Sequence, residues 1–454
     1  MKHSSTWAVR RMSGLLASLA LVALLAACGT SNGGNGGTGA GIKGPQNTLL
    51  KCPTSTNSTA ATAESGDITL NVTGWSSSPA EDALVQKGFD NFTKKYPKIH
   101  VKWSPIPDAY DTKMRANVSS GNVADVFYLQ PPMAQEYIPA GKLLNLSPYM
   151  ARDNVQASTY YNSLLQPFDC ADGTVYGIPK DWNTLGLVYN KTMVQQAGLS
   201  DPSTWSWTDL QNAAQKMTQG KVKGIALPAD ASRMGAFLFA NGGQMVSSDG
   251  KSVSFNNQAG IDAATFYTSF EKSKTGATPK DLGAGWDGEA FGKQQVAMTI
   301  EGGWLIPFMT QFYPNVQYGI VPLPKSASGQ RGNLIFTNAW AAYSQTKHPD
   351  AAWKLIQYMT GQEYQTEVLH AGFALPTIQS LASDSYFSSH PDVKALADGA
   401  AYGKADFYGP ADTKVHSELA NALEAVMLGK SDVKSALDQA AQNVNTWIQQ
   451  NTAP

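Results

Sequence analysis

The chain has 454 residues, a formal net charge of −1, 15% charged side chains and 10% aromatics, with 11 Trp and 18 Tyr among them. Its lysines and arginines are scattered, so the basic stripe that a nucleic-acid partner requires is missing. Low charge density with many flat rings points to neutral, flat-faced ligands, and a chain of this length exceeds one compact core.

The first 27 residues combine Lys2, His3, Arg10 and Arg11 with an apolar run from Leu15 to Ala27. That is the layout of an export signal, too short to hold as a membrane span. Arg10-Arg11 is followed by MSGLL, which departs from the twin-arginine export motif. The run ends in LLAACGT, and Leu-Ala-Ala-Cys resembles a lipobox. The resemblance implies diacylation of Cys28, which would become the mature N-terminus and fix the protein to the outer face of the cell membrane. Residues 28–66 are rich in Gly, Ser, Thr and Asn and are expected to form a flexible tether. About 20 such residues span roughly 25 Å as a coil. Cys52 and Cys170 remain, and two cysteines in an exported chain suggest one disulfide. It would pin the end of the tether onto the turn FDCADGTVYG.

The body then alternates. DITLNVT reads as a strand, SPAEDALVQKGFDNFTKKYP as an amphipathic helix, IHVKWSPIP as a strand, DAYDTKMRANVSSG as a helix and ADVFYLQ as a third strand. This is the α/β signature and predicts largely parallel sheets. TWSWTDLQNAAQKMTQ (helix), KGIALP (strand) and QAGIDAATFYTSFEKS (helix) continue the pattern. HPDAAWKLIQYMTGQEYQTEVL and SDVKSALDQAAQNVNTWIQQ are helical in the C-terminal third.

Ligands in such folds bind beyond the carboxyl ends of strands. Three predicted strand ends carry an aromatic beside small polar residues: Trp75-Ser76-Ser77, Tyr128-Leu129-Gln130, and Asp181-Trp182-Asn183 after VYGIP. The segment GWDGEAFGKQQVAMTIEGGW adds Trp286, Asp287, Glu301 and Trp304. A pyranose offers weakly apolar C–H faces to an indole plate and paired hydroxyls to forked carboxylates, amides or guanidinium groups. Trp286 and Trp304 are therefore candidate plates, with Asp287 and Glu301 as candidate grips. Trp340 is a further candidate, whereas Trp103, Trp353 and Trp447 read as core. Arg233 precedes an apolar helix and fits either ligand contact or a structural ion pair.

The ordered set ITLNVTGW, ADVFYL, GKLLNLSPY, DGTVYGIPKDWNTLGLVYNKTM, TWSWTDL, FANGG, VAMTIEGGW, YGIVPLP and KHPDAAWKLIQYMTG resembles the family 1 extracellular solute-binding proteins. These are the maltose-binding-like lipoproteins that feed bacterial ABC importers. The resemblance implies a two-lobe α/β fold, with residues 67–179 and 322–374 in one lobe and 180–321 and 375–454 in the other. It also implies a di- or oligosaccharide closed between the lobes of a monomer and delivered to a membrane permease, with no metal or cofactor. It places Trp75, Ser76, Ser77, Tyr128 and Gln130 at the cleft, and gives Asp125 a capping role. EGGW matches the stacking tryptophan of the second lobe, which makes Trp304 the leading candidate. Asn183 stands where several relatives have a sugar-binding carboxylate, so Asp181 or Trp182 is expected to take that part. A glycosidase reading of Asp181, Asp287, Glu289 and Glu301 lacks supporting motifs. Among other solutes, a polyamine would call for a more acidic cleft and glycerol phosphate for more Arg and Ser.

Overall fold

A computed structural model describes residues 42–44, 46–47, 50–54, 59–76, 79–247 and 249–451. The expected signal, Cys28 and Ser77 lie outside the described residues. The strands are β1 (Ile68–Thr73), β2 (Ile99–Trp103), β3 (Val126–Leu129), β4 (Gly177–Asn183), β5 (Gly186–Asn190), β6 (Lys223–Ala226), β7 (Gly276–Ala277), β8 (Val296–Glu301), β9 (Tyr318–Val321), β10 (Asn333–Ala342) and β11 (Gly403–Ala405). They form two sheets. The first has the order β11-β10-β3-β1-β2 with β4 also on β10, and the second the order β7-β6-β8-β5-β9.

Alternation drives the outer strands. In β1, Ile68, Leu70 and Val72 turn inward while Thr69 and Asn71 are exposed. The inner strands VFYL of β3 and VAMTIE of β8 are buried throughout, because helices cover both faces. The helix Pro79–Lys95 has Glu81 and Asp82 in its first turn and Lys94 and Lys95 in its last, matching its macrodipole. The helix Trp207–Met217 begins with a reciprocal capping box between Ser206 and Asp209. HPDAAWKLIQYMTGQEYQTEVL, which reads as one helical stretch, is two helices, Pro349–Met359 and Gln362–Ala371, broken at Thr360-Gly361.

The α/β class holds, but the pairing is more mixed than the alternation predicts. β1 pairs in parallel with β2 and β3, while β10 runs antiparallel to both β3 and β4. In the second sheet β6 is parallel to β7 and β8, while β5 is antiparallel to β8 and β9. The cause is connectivity. A strand that arrives from the other sheet starts where β3 ends, so it must run backwards along it.

Each sheet has its own core. The first gathers Leu70, Phe89, Phe127, Trp340 and Trp353; the second gathers Leu187, Phe237, Tyr267, Met298 and Leu419. A third cluster, with Trp182, Val188, Ile335, Leu375 and Leu396, fills the junction. The chain passes between the sheets after β4 and again along β10, whose Leu334 belongs to the second core and whose Ala339 belongs to the first. Leu323, ahead of β10, also lies in the second core. Buried Asn333 clasps the two passages, exchanging hydrogen bonds of 3.0 and 2.7 Å with the backbone of Leu185.

The described part of the expected tether is not free. The Ile42 N–H donates to Ser147 O, the Gly44 N–H donates to Gly173 O, and Leu50 is buried in the first core. Cys52 and Cys170 form a disulfide with an S–S distance of 2.12 Å. Composition hides this docking because it rests on Leu50 and Cys52, two side chains in an otherwise polar stretch. No helix among the described residues is long and apolar enough to cross a membrane.

Candidate functional site

Between the two sheets lies a cavity of about 620 Å³. Asp111, Gln130 and Pro131 wall it from the first-sheet side, Asp230, Ser232 and His416 from the second, and Thr337 and Asn338 of β10 lie at its base. The carboxyl ends of β3 and β6 lead into it, as expected of an α/β crevice.

On the first side, Trp75 follows β1 and remains half-buried. Its ring packs edge-on against Tyr110 at 5.4 Å and Tyr128 at 4.6 Å. Gly74 is required here, since a Cβ at that position would come within 2.4 Å of the Tyr128 ring. Beneath this group runs β4, so Lys180–Asn183 belong to a strand and not to a loop after one. The buried Lys180 ammonium lies 4.7 Å from the Tyr128 ring and 5.6 Å from Trp75, 3.2 Å from Glu81 and against Asp181. Burial works against its charge, yet Asp181 and Glu81 more than offset that and raise its pKa. Burial raises Glu81 in turn, against the pull of Lys180. Asp181 is therefore engaged by Lys180 at the edge of this cluster. Ser76 donates to Asp82 at 2.5 Å. Gln130, its amide nitrogen turned toward Asp111, donates to that carboxylate at 2.5 Å. Asp125 accepts from the Asn71 N–H and the Thr346 hydroxyl, a structural role.

On the second side, β8 ends in Glu301-Gly302-Gly303-Trp304. The Trp304 indole N–H donates to Glu301 Oε2 at 2.5 Å, and its ring meets Phe336, a cavity-lining residue, at 5.7 Å. Glu301 Oε1 lies 2.7 Å from Arg233 Nη2, and Arg233 Nε lies 3.1 Å from Asp287. Arg233 also donates to Ile300 O at 3.0 Å. Burial opposes the Arg233 charge, but Glu301 and Asp287 hold it firmly protonated. Burial pushes the Glu301 carboxyl well up against the pull of Arg233, and Asp287 adds to the rise. The two glycines are steric necessities. A Cβ on Gly302 would come within 2.4 Å of the Trp304 ring, and one on Gly303 within 2.7 Å of Asn183 Oδ1.

Several sequence candidates are corrected by this geometry. Glu301 and Asp287 are 0% and 3% exposed and are committed to Arg233, so they are not surface grips. Arg233 is the structural ion-pair partner. Trp340 is 1% exposed and packs edge-on against Tyr128 at 4.5 Å, because its place in β10 opposite Tyr128 turns it into the first core. Tyr128 is equally buried and supports Trp75 from below. Asn183 is inward-facing: it accepts from the Gly303 N–H and donates to Phe373 O, both at 3.0 Å. Trp182 donates to Pro376 O at 2.7 Å and lines a separate cavity of about 430 Å³ with Tyr161 and Phe387. Trp286 packs on Phe308 at 4.9 Å in the junction cluster, away from the contacts of Trp75 and Trp304. Glu289, a rival catalytic carboxylate, is engaged by Lys293 and the Gly285 N–H.

The carboxylates that do reach the cavity went unnoticed in the sequence. Asp230 caps the helix Ala231–Ala240 and accepts the Arg233 N–H. Asp406 accepts from Ser232 at 2.7 Å and Tyr408 at 2.9 Å, and lies 3.1 Å from His416 Nε2. Burial opposes protonation of His416, but Asp406 and Asp412 push its pKa up to about 10. Burial pushes Asp412 up to about 6, with His416 pulling the other way. The stretch ADFYGPADTKVHS, dense in charge around a Gly-Pro turn, was the available signal.

A model of bacterial extracellular solute-binding proteins matches residues 87–395. The multiple sugar-binding protein of Streptococcus mutans is 26% identical over 307 residues, covering 62% of this chain and 68% of its own length. The galactooligosaccharide-binding protein of Bacillus subtilis is 24% identical over 392 residues, covering 81% and 88%. An ABC substrate-binding protein of Listeria monocytogenes, solved in complex with cycloalternan, aligns with a TM-score of 0.78 at 22% identity over 84% of this chain and 99% of that one. With more than half of its length matched by the family, two α/β lobes and a cavity between them, this chain belongs to the bacterial extracellular solute-binding proteins.

Proposed function

We propose that this protein captures a carbohydrate, a di- or oligosaccharide, between its two lobes and delivers it to the permease of an ABC importer. The observation that carries the reading is the cavity of about 620 Å³. Two half-buried indoles stand one residue behind its lining, Trp304 against the lining Phe336 and Trp75 against Tyr110, the chain neighbour of the lining Asp111, and each is backed by a buried ion cluster. Polar side chains from both lobes face the gap, as a ligand with a hydroxylated rim and weakly apolar faces requires. Relatives whose names specify sugars agree with it.

Sugar bridging the gap favours the closed form, with β4 and β10 as the bending segments. Diacylated Cys28 holds the monomer at the outer face of the membrane, and the residues after it set its reach. The test is a thermal-shift and calorimetric screen of the purified protein against mono-, di- and oligosaccharides. A raised Tm with at least one carbohydrate, reproduced as a saturable heat, is the expected result; silence across the panel overturns the reading.

A further inference from the structure

The cavity carries an imbalance that a neutral sugar does not need. Among the described residues, Asp111, Asp230, Asp406 and Asp412 line it against the single imidazole of His416, with no lysine or arginine in the lining. Two helix N-termini, before Ala231 and at Asp412, add roughly half a positive charge each. Asp230 also lies 3.4 Å from Arg233, whose charge is shared with Asp287 and Glu301; with His416 charged, the four lining carboxylates stay in excess by about two charges. Arg115, which faces Asp111, is already gripped by Glu136 at 2.8 and 2.9 Å.

A second cavity of about 580 Å³ continues from the first, sharing Pro132, Asp412, Thr413 and Ser417. Its charges are balanced, with Arg115 and Lys414 beside Glu136 and Asp412. Gln135 lines it, and both polar atoms of that amide are shut off from water without a protein partner. An amide left unmade in this way is costly.

We propose that the solute is an oligosaccharide bearing a protonated amino group. The ammonium lies in the first cavity among Asp111, Asp230 and Asp406, and the uncharged remainder of the chain runs past Gln135 in the second. The assignment rests on the carbohydrate reading above and adds the charge of the ligand. Charge-assisted hydrogen bonds to a cation are the strongest use these carboxylates have, and they weaken with salt.

The test is calorimetry on the full chain with glucosamine oligomers of two to four rings, their N-acetylated counterparts, and neutral gluco-oligosaccharides of α and β linkage. Each is measured at low and high salt, with spermidine as a sugar-free cation. At least tenfold tighter binding of a free-amine oligomer than of its acetylated or neutral match, shrinking in high salt and in Asp111→Asn, supports the proposal. Neutral or acetylated oligomers binding as tightly overturn it and leave the carbohydrate reading standing. Binding of spermidine alone, or of nothing in the panel, overturns it, and the wider saccharide screen above then decides the carbohydrate reading separately.

Discussion

Two buried ion clusters stand behind two tryptophans, and they work differently. Behind Trp75, Lys180 is drawn from a strand that passes between the lobes and Glu81 from a helix of the first lobe. The cation touches the aromatic faces and leaves the indole N–H alone. Behind Trp304, all members come from the second lobe, and a carboxylate takes the indole N–H directly. The second arrangement fixes the orientation of one plate. The first ties Trp75 to β4, a strand after which the chain passes between the lobes.

The sharpest way to break this comparison is Arg233→Met, which leaves Glu301 and Asp287 buried without their cation. A loss of about 3–5 kcal/mol in denaturant unfolding is expected, with Glu301 taking up a proton to limit it. Lys180→Met should cost less, about 2–3 kcal/mol, since Asp181 sits at the edge of its cluster with 14% of its side chain exposed. It should also alter sugar affinity more than its distance from the cavity suggests. Trp304→Ala is expected to weaken sugar binding by about 2 kcal/mol or more with folding intact, as for a plate that anchors a ligand. Trp340→Ala, by contrast, should cost about 3–5 kcal/mol of stability as a core deletion. An unchanged dissociation constant for Trp304→Ala would remove that ring from the site.

The smallest effect is a pH slope. His416 has a folded pKa of about 10 against an ordinary 6.5. Its contribution is therefore complete below 6.5 and is lost as pH rises toward 10. This window lies above that of Asp412, at about 6. Stability should decline between pH 6.5 and 10, and His416→Asn should flatten the decline.

The order of strands and helices around β1, β2 and β3 was legible because each element carries its own period. So was the Cys52–Cys170 pair, the two cysteines left once Cys28 is set aside. What sequence could not convey was direction. Glu301 and Asp287 stand beside tryptophans in the chain, but they turn toward Arg233, whose place only the packing of Ala231–Ala240 against β8 defines. Trp340 sits among small residues in NLIFTNAWAA, and its burial follows from pairing with Tyr128, more than 200 positions earlier. The acidic wall of the cavity joins Asp111, Asp230 and Asp406 from three distant stretches, none acidic by itself.

The disulfide closes a covalent ring from residue 52 to residue 170 that contains β1, β2 and β3. Any pull transmitted along the chain ahead of residue 52 is thus stopped at the first lobe by the sulfur bridge, even once the contacts of Ile42 and Gly44 have peeled. With the anchor at Cys28 proposed above, one lobe would be the moored hull and the other the swinging boom. Docking geometry at a membrane would then be set by the moored half, leaving the other half to report whether cargo is aboard.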